Sequence, residues 1–510
     1  MLSLPDPGAA QQAAIYTERY RPRYHFTPAV HWMNDPNGMV YLDGEYHLFY
    51  QHNPFGITWG HMSWGHAVSR DLVHWEHLPV ALPEADGIMV FSGSAVVDWH
   101  NTSGFGQDGR PPLVAIYTGH HTDPDHPRQD QRLAFSTDNG RTWISYRGNP
   151  VLDRALRDFR DPKVFWYAPE AKWVMVLALP MEHRVQFYGS PDLKTWTHLS
   201  DFGPAGAVGG IWECPDLFEL PVDGDPQRTR WVLVVNLNPG GPAGGSAGQY
   251  FIGHFDGTTF VPDDPVPVGD AHARWLDYGA DYYAAVSWSD VPGLDGERLM
   301  IGWMNDWRYA NDIPTTPWRS AQSLPRRVML RAGDGAVRLV QRPVAALSVL
   351  RRRQHHVADL PIPEDGVDLS SLGIAGTTLE LIAEIEVGRA EVVGLKVRVG
   401  ADEETWIGYD AAAARLFVDR THAGEAGFHP AFAARHTAPL AAADGRVRLH
   451  VFVDASSVEV FGGAGEVTLT DQIFPDPASD GVALFAEGGP ARLVRLDVWE
   501  LASAWPSTAR

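Results

Sequence analysis

Ser69-Arg-Asp-Leu-Val-His-Trp75 is the segment from which the architecture can be inferred, because its pattern recurs along the chain. Ser-x-Asp followed by a tryptophan returns at Ser136–Trp143 and again at Ser190–Trp196. Each copy follows a predicted strand, where the aspartate can bind turn amides while the tryptophan packs beneath. We therefore predict structural rather than catalytic roles for these three aspartates.

The spacing of this repeat predicts a β-propeller. The copies start roughly 60 residues apart, which is too long for a solenoid repeat but suits the blades of a propeller. Between residues 23 and 335, short apolar segments alternate with Gly, Pro, Asp and Asn, and no long amphipathic helix is apparent. This pattern is typical of all-β folds. About five blades fit into this length.

The sequence beyond the repeat region follows a different pattern. Residues 336–358 are predicted to form a linker that includes the basic run Arg351–Arg353, and residues 1–22 an N-terminal leader. From 359 to 510 the strands are longer and alternate apolar and polar residues with period two, as in Leu379–Val387. Such strands predict a β-sandwich. The predicted fold class is all-β, a five-bladed propeller followed by a C-terminal β-sandwich.

Charge and composition exclude several classes of partner. The formal net charge of −22 argues against binding to nucleic acid or to an anionic membrane. No run of about 18 apolar residues is present, so that no membrane span is predicted. The single cysteine, Cys214, excludes an intramolecular disulfide. Because the N-terminus also lacks the features of a secretory signal, a cytoplasmic location is predicted, with secretion as the alternative if a signal has been removed.

Three carboxylates lie in short stretches rich in aromatic residues and proline. They are Asp35 in His31-Trp-Met-Asn-Asp-Pro-Asn-Gly38, Asp161 in Phe159-Arg-Asp-Pro-Lys163, and Glu213 in Trp212-Glu-Cys-Pro-Asp216. Taken alone, the first stretch is more typical of a turn, since Pro36 restricts the backbone and Gly38 allows a reversal. The innermost strands of propeller blades line one channel, so that carboxylates from different blades can meet at its mouth. Paired carboxylates near tryptophans are what glycosidic-bond hydrolysis requires.

These stretches resemble the three signature motifs of glycoside hydrolase family 32, which contains the invertases, inulinases and levanases. The resemblance continues through Phe91-Ser-Gly-Ser94, Tyr117-Thr-Gly119, Asp281-Tyr-Tyr-Ala284, Gly302-Trp-Met-Asn-Asp-Trp307 and Val453–Phe461. It implies the same propeller and sandwich, and a retaining exo-β-fructosidase acting on sucrose and fructo-oligosaccharides. The segment from Trp303 to Arg326 resembles the fructan-hydrolysing members more than the sucrose-specific ones, which adds inulin and levan as candidate substrates.

The resemblance also implies roles for individual residues. Asp35 matches the family's nucleophile, Glu213 its general acid/base, and Asp161 the carboxylate that binds fructose hydroxyls and stabilises the transition state. The positions that match the lining of the fructosyl subsite are Asn34, Gln51, Trp59, Phe91, Ser92, Arg160 and Trp303. No cofactor or metal is predicted, since the sequence has neither zinc-ligand spacing nor a calcium loop.

The proposed chemistry sets physical requirements for these side chains. Asp35 must be ionised to attack the anomeric carbon, and we expect the adjacent amides to lower its pKa by hydrogen bonding. Glu213 must be protonated, which burial and repulsion from the neighbouring carboxylates favour. Arg160 is expected to orient Asp161 or a sugar hydroxyl. A retaining mechanism requires the carboxyl groups of Asp35 and Glu213 to lie about 5–5.5 Å apart.

One position departs from the family pattern. Asp306 stands where a neutral residue is more usual, and we expect it to alter the outer subsite. Cys214, beside Glu213, is predicted to be a small buried group that tunes the acid rather than a nucleophile, since no paired base is evident.

The sequence is also compatible with other functions. A sialidase is one alternative, because Ser136–Trp143 matches the sialidase Asp-box, although neither the required arginines nor a tyrosine nucleophile can be assigned. A non-catalytic sugar-binding propeller is another, but three crowded carboxylates carry an electrostatic cost that serves no purpose in a binding protein. Within the family, hydrolysis of sucrose 6-phosphate and transfer of fructose to a second sugar use the same residues. The sequence does not predict the oligomeric state.

Overall fold

The computed structural model describes residues 16–505 except 295 and 334. Within these residues the chain forms a five-bladed β-propeller followed by a β-sandwich, which confirms the predicted fold class. No helix in this part of the chain is long and apolar enough to cross a membrane. The helical elements in the described ranges are short 3-10 turns, at Ala168–Glu170, Pro180–Glu182, Asp270–His272, Ala345–Leu350 and Ser370–Leu372.

The first three blades are antiparallel and follow chain order. Blade I contains β1 (His31–Leu42), β2 (Glu45–Asn53), β3 (Ser63–Ser69) and β4 (Trp75–Leu82). Blade II contains β5 (Ile88–Val97), β6 (Leu113–His121), β7 (Gln129–Ser136), β8 (Ile144–Ser145) and β9 (Leu152–Leu156). Blade III contains β10 (Arg160–Tyr167), β11 (Lys172–Leu179), β12 (Arg184–Ser190) and β13 (Thr197–Phe202).

The sequence repeat forms the turn after the third strand of each of these blades. Asp71 accepts the backbone N–H groups of Val73 and His74 at 2.9 and 2.8 Å. Asp138 and Asp192 bind turn amides in the same manner. The structural role predicted for these aspartates is therefore confirmed.

The last two blades share one sheet, and the chain then returns to the first blade. Blade IV contains β14 (Ile211–Val222), β15 (Asp225–Asn238), β16 (Ala247–Phe255) and β17 (Phe260–Pro262). Blade V contains β18 (Tyr283–Ser287), β19 (Arg298–Met304), β21 (Ala321–Gln322), β22 (Arg326–Gly333) and β23 (Ala336–Pro343). Strand β20 (Trp318–Arg319) lies between β19 and β21 in the sequence and pairs in parallel with β1, which joins the end of the propeller to its beginning.

The innermost strands of the five blades, β1, β5, β10, β14 and β18, surround a central channel, and each contains a β-bulge. The ladder register shifts between Met33 and Pro36, Val90 and Gly93, Arg160 and Lys163, Glu213 and Asp216, and Tyr283 and Val286. In every case three steps on the inner strand oppose two on its neighbour. Residues at all five bulges line one small cavity inside the channel, so that the bulges lie at the same level.

The bulges require unusual backbone conformations. Asp161 and Cys214 have φ values of 66° and 43°, a region that residues other than glycine rarely adopt. A bulge redirects side chains, and such features concentrate next to active sites. The five inner strands therefore point selected side chains towards one end of the channel.

The C-terminal domain is a sandwich of two six-stranded sheets around an apolar core. One sheet contains β24 (Arg351–Ile362), β26 (Leu379–Glu386), β31 (Arg446–Asp454), β32 (Ser457–Gly462), β33 (Val467–Gln472) and β35 (Ala491–Leu501). The other contains β25 (Val367–Asp368), β27 (Val392–Val399), β28 (Thr405–Asp410), β29 (Arg415–Asp419), β30 (Arg435–Pro439) and β34 (Gly481–Glu487).

The predicted linker and leader differ from what the structure contains. Residues 336–358 are mostly strand, because β23 belongs to blade V and β24 to the sandwich, and the 3-10 turn Ala345–Leu350 connects them. The sequence pattern does not reveal β24, because β24 is an edge strand whose residues are mostly exposed and which therefore lacks an apolar alternation. Residues 1–15 of the leader lie outside the described residues. In residues 16–22, the part of the leader that the structure describes, Arg21 is fully buried, so that this segment packs against the rest of the chain.

The interface between propeller and sandwich contains buried ion pairs. Arg420 of the sandwich binds Asp281 of the propeller at 2.6 Å and the hydroxyl of Tyr309 at 2.9 Å. Arg326 of the propeller binds Glu459 of the sandwich at 2.7 Å. All five side chains are buried. The two domains are therefore held in a fixed relation by charged groups as well as by apolar packing.

Candidate active site

A cavity of about 560 Å³ lies at the end of the channel where the bulges point. The predicted site residues that line it are Asn34, Asp35, Gln51, Trp59, Phe91, Ser92, Arg160, Asp161 and Glu213. The carboxylates come from β1, β10 and β14, and Ser92 comes from β5. Three stretches far apart in sequence thus meet because each lies at the same level of a neighbouring inner strand.

Asp35 lies at the bulge of β1 among several hydrogen-bond donors. The Ser92 hydroxyl donates to Oδ2 at 2.6 Å, and the Asn34 side-chain amide donates to Oδ1 at 3.0 Å. The indole N–H of Trp32 donates to Asn34 Oδ1 at 2.7 Å, which fixes the orientation of that amide. These hydrogen bonds fix the orientation of the Asp35 carboxylate, because the Asn34 amide that donates to it is itself fixed by Trp32.

Burial raises the pKa of Asp35 above its usual range, and the charge of Glu213 adds to this effect. The hydrogen bonds from Ser92 and Asn34 act in the opposite direction but are smaller than the desolvation. The predicted effect of the adjacent amide is confirmed in direction, because the hydrogen bond from Asn34 lowers the pKa of Asp35, but desolvation outweighs it. The sequence shows the donor but not how far the carboxyl is removed from water.

Asp161 is buried and is hydrogen-bonded through both its backbone and its carboxylate. Its backbone N–H donates to Thr118 Oγ1 at 3.0 Å, and its Oδ2 accepts the backbone N–H of Cys214 at 2.9 Å. Burial raises the pKa of Asp161 to about 7, against the opposing effect of Arg160. The nearby carboxylates Glu213 and Asp35 raise it further. The site therefore retains a proton at a pH where an isolated aspartate has none.

Glu213 is held from two sides. Its Oε1 accepts Nε and Nη2 of Arg160 at 3.2 and 3.0 Å, and its Oε2 accepts the hydroxyl of Tyr283. Arg160 also binds Asp158 at 2.8 Å, whereas its Nε lies 3.9 Å from Asp161 Oδ2. The guanidinium therefore pairs mainly with Glu213, and the predicted contact with Asp161 is the longer one.

Tyr283 was not predicted as a site residue, although the stretch Asp281–Ala284 resembles the family. It begins β18, so that the fifth inner strand also supplies a group to the site. The signal was present in the sequence, but its meaning depends on the bulge that directs the hydroxyl towards Glu213.

Cys214 lies between two of the carboxylates rather than against Glu213. Its Sγ is 3.4 Å from Asp35 Oδ2 and 3.7 Å from Asp161 Oδ2. Burial, together with the surrounding carboxylates, raises the pKa of this thiol well above its usual value. A thiol that resists ionisation is a poor nucleophile, which agrees with the prediction of a small buried group.

Trp303 does not line the cavity, contrary to the prediction. It lies within β19, opposite Tyr283 and Gln322, and is fully buried. Its ring centroid is 4.8 Å from that of Trp307, which does line the cavity. The resemblance identifies the stretch, but the strand ends at Met304, and only a residue in the following turn reaches the surface of the cavity.

Asp306 does not line the cavity either. It is buried and pairs with Arg308 at 2.9 Å, so that its charge is neutralised locally. Its Oδ2 packs so closely on Gly245 that a β-carbon there would lie 1.9 Å away. Asp306 therefore supports the turn that carries Trp307, and its effect on an outer subsite stays a prediction.

The rim of the cavity is aromatic. Trp59 is 41% exposed, and its ring centroid lies 6.1 Å from that of Phe91. Phe91 in turn stacks on His120 with 4.4 Å between ring centroids. An open rim of flat apolar surfaces above buried carboxylates is suited to a sugar ring. Within the described ranges, no group of three His, Cys, Asp or Glu side chains is arranged to hold a metal ion.

Comparison with known proteins extends the likeness over nearly the whole chain. The sequence model of the glycosyl hydrolases family 32 N-terminal domain matches residues 25–343, and that of the family 32 C terminal matches residues 346–500. A levanase of Bacillus subtilis is 50% identical over 517 residues, covering 100% of this chain and 74% of that protein.

Solved structures give the same result. The crystal structure of an exo-inulinase from Aspergillus awamori matches with a TM-score of 0.89 at 42% identity, covering 96% of this chain and 100% of that chain. A β-fructofuranosidase from Schwanniomyces occidentalis, complexed with fructosyl-erythritol, matches with a TM-score of 0.87 at 32% identity, covering 96% of this chain and 99% of that chain.

Proposed function

Because the chain belongs to glycosyl hydrolases family 32, we propose that it is a retaining exo-β-fructosidase that removes terminal β-D-fructofuranosyl residues. Its relatives are named as a levanase, exo-inulinases and a β-fructofuranosidase, which makes sucrose, fructo-oligosaccharides, inulin and levan its substrates. The observation that carries the proposal is the convergence of Asp35, Asp161 and Glu213 from three inner strands in one cavity.

The first step forms a covalent intermediate. Asp35 attacks the anomeric carbon of the terminal fructose, and the bond to the leaving oxygen breaks as Glu213 donates its proton to that oxygen. In the second step Glu213 removes a proton from water, the water oxygen attacks the anomeric carbon, and the Asp35 ester is released. Two inversions give overall retention of configuration.

The proton needed by Glu213 is supplied by the cluster itself. Arg160 pairs with Asp161 and Glu213, and Asp35 lies in the same cavity, so that full ionisation of the three carboxylates would leave uncompensated negative charge out of water. Interacting carboxylates titrate as a group rather than one by one. The proton retained near neutral pH is therefore available to Glu213 once the leaving oxygen of the substrate lies beside it.

Asp161 acts on the fructose ring rather than on the scissile bond in this scheme. Its carboxylate accepts hydroxyl groups of the fructosyl unit and stabilises the positive charge that develops on the ring. Asn34, Gln51 and Ser92 supply further polar contacts, while Trp59, Phe91 and Trp307 present flat surfaces to the sugar. The assignment of Trp307 replaces that of the buried Trp303.

The assignment is tested with Asp35→Asn and Glu213→Gln. Both variants are expected to lose turnover of sucrose and levan by at least about a thousandfold while circular dichroism stays unchanged. Asp35→Asn removes the nucleophile, and Glu213→Gln removes the general acid/base. Asp138→Asn, which changes a carboxylate of the sequence repeat outside the cavity, is the matched control and is expected to retain activity. Undiminished turnover in either cavity variant would overturn the assignment.

Substrate choice is tested by incubating the protein with sucrose, sucrose 6-phosphate, inulin and levan and separating the products. Release of free fructose from chain ends is expected. Products consisting only of longer oligomers would contradict the exo reaction. Addition of a second sugar as acceptor measures fructosyl transfer, which shares the same covalent intermediate.

The cytoplasmic location predicted from the sequence is part of this proposal, with secretion as its alternative, since relatives from Aspergillus are named extracellular exo-inulinases. Fructosidase activity measured separately in the culture medium and in the lysate of the source organism distinguishes the two. Activity confined to the medium would overturn the cytoplasmic location.

A further inference from the structure

The hairpin that joins β6 to β7 forms one wall of the active-site cavity. His120, near the end of β6, and Gln129, at the start of β7, lie opposite each other in the ladder, and both line the cavity. None of the residues assigned above to the reaction or to the terminal fructose belongs to this hairpin. The wall is therefore available to the sugar on the other side of the scissile bond.

We propose that His120 is a specificity-determining residue that binds the leaving sugar, the unit next to the terminal fructose, an inference that rests on the proposed function. The Nε2–H group of its neutral imidazole donates a hydrogen bond to a hydroxyl of that sugar. The leaving sugar is a glucosyl unit in sucrose and a fructosyl unit in a β-fructan. His120 thus favours substrates in which a sugar, rather than a simple alcohol, departs.

The imidazole of His120 is held from two sides. Its ring stacks on Phe91 with 4.4 Å between the ring centroids and an angle of 2° between the planes. Its Nδ1 lies 3.3 Å from the side-chain nitrogen of Gln129. A group that already has a fixed orientation loses little conformational freedom when a ligand binds. His120 is therefore pre-organised for recognition.

The contacts of Gln129 assign the hydrogen of the neutral imidazole to Nε2. Gln129 Oε1 accepts the backbone N–H of Phe159 at 2.7 Å, so that the amide nitrogen is the atom that faces His120. Because an amide nitrogen only donates, Nδ1 of His120 is the acceptor and Nε2 carries the hydrogen. Burial and the nearby Arg160 lower the pKa of His120, which keeps the ring neutral near neutral pH. Within the described residues Nε2 has no hydrogen-bond partner, so that it is a donor available to a ligand.

His120 also lies on the side of the cavity from which the leaving oxygen is protonated. Gln129 Oε1 accepts Nη1 of Arg160 at 3.4 Å, and Nη2 of Arg160 binds Glu213 at 3.0 Å. In the proposed reaction Glu213 donates its proton to the leaving oxygen, so that the leaving sugar extends from this side. The contacts from Glu213 through Arg160 and Gln129 lead to His120. The imidazole is therefore placed to contact the leaving sugar.

The proposal is tested with His120→Phe and His120→Asn in the full chain. Phenylalanine retains the stacking surface and asparagine retains a short polar group for Gln129, but neither has the Nε2–H group. Turnover is measured with sucrose, whose leaving group is a sugar, and with methyl β-D-fructofuranoside, whose leaving group is methanol. In both variants, kcat/KM for sucrose divided by kcat/KM for the methyl fructoside should fall about three- to tenfold, the effect of losing one neutral hydrogen bond.

This ratio separates recognition of the leaving sugar from a purely structural role. A disturbance of Arg160 through Gln129 lowers both values of kcat/KM together and leaves their ratio unchanged. His254→Phe is the matched control, because the His254 side chain is 63% exposed on blade IV and does not line the active-site cavity. It should leave both values unchanged. A ratio that stays at the wild-type value in both His120 variants would overturn the proposal.

Binding measurements distinguish a failure of this inference from a failure of the proposed function. Calorimetry with Asp35→Asn gives Kd values for sucrose and the methyl fructoside without turnover, and the added His120→Phe substitution should raise only the Kd for sucrose, by about three- to tenfold. This selective loss of binding, together with a wild-type protein that hydrolyses no fructoside, would contradict the proposed function and leave the binding role of His120 standing. Normal hydrolysis, together with a Kd for sucrose that ignores the substitution, would contradict the role of His120 alone.

Discussion

Arg420→Met removes one of the two buried cations described above that join the sandwich to the propeller. Arg420 is fully buried, binds Asp281 at 2.6 Å and lies 3.6 Å from Asp471. Methionine fills a similar volume but leaves Asp281 without its buried cation, whereas Asp471 keeps its contact with His436 at 2.7 Å. Removal of one partner from a buried ion pair costs about 3–5 kcal/mol of unfolding free energy, and we expect a loss in that range.

The same substitution is expected to lower activity, because the contacts of Arg420 continue to the cavity. The hydroxyl of Tyr309 donates to Asp281 at 2.8 Å, and Tyr309 belongs to the turn that carries Trp307. Asp281 also lies two residues before Tyr283, which donates to Glu213. Since a displacement of about 1 Å in a catalytic group costs about a hundredfold in rate, kcat/KM for sucrose should fall by ten- to a hundredfold.

Denaturant titration followed by tryptophan fluorescence measures the loss of unfolding free energy. Sucrose hydrolysis, measured at each denaturant concentration including zero, measures the loss of activity. Arg19→Met is the matched control, because Arg19 and its partner Asp476 are both more than half exposed. Its cost should stay below about 1 kcal/mol, with normal activity. A loss of less than about 1 kcal/mol in Arg420→Met, with unchanged kcat/KM, would refute the reasoning.

Three further predictions concern the cavity itself. Since burial raises the pKa of Asp161 to about 7, the folded state binds more protons than the unfolded state between about pH 4 and 7, and the contribution of this group to stability falls as pH rises through that window. Asp161→Asn should therefore unfold at a higher denaturant concentration than the wild type at pH 8 but not at pH 4, while losing activity; an equal difference at both pH values would contradict this. Tyr283→Phe removes the hydroxyl that donates to Glu213, and the loss of such a buried contact costs about 1–3 kcal/mol, so that kcat/KM for sucrose should fall about fivefold to a hundredfold without loss of fold, and normal kinetics would exclude the contact. Trp307→Ala should raise the KM for sucrose at nearly unchanged stability, whereas Trp303→Ala should destabilise the fold by about 3–5 kcal/mol, and the reverse outcome would restore Trp303 to the cavity wall.

The sequence predicts the fold and the three carboxylates because these depend on local signals. The turns at Asp71, Asp138 and Asp192 are determined by a few adjacent residues, and their spacing is enough to count blades. Asp35, Asp161 and Glu213 each lie in a stretch whose composition is unusual by itself. Such features can be recognised without knowing which residues pack against them in the fold.

The features that the sequence did not predict depend on packing between distant segments. The choice between Trp303 and Trp307 depends on where β19 ends relative to its neighbours. The pKa of Asp35 depends on burial by several blades, and the pairing of Arg160 with Glu213 depends on the distance between β10 and β14. The extent of the linker was missed because β24 is a mostly exposed edge strand that carries almost no apolar alternation.

The ring of five bulges makes the active site depend on the number of residues in each inner strand as well as on their identity. Side chains of a strand alternate between two faces, so that one added residue reverses which face the following side chains occupy. In β10 this phase change separates Asp161, at the cavity, from Lys163, which is buried in the channel and lies 3.4 Å from Asp216. Deletion of Pro162 would restore an ordinary ladder while keeping every catalytic side chain in the sequence. The protein would then retain all its reactive groups, but they would no longer point into one cavity. An alignment that ignores single-residue gaps in these strands therefore misjudges whether a relative can be active.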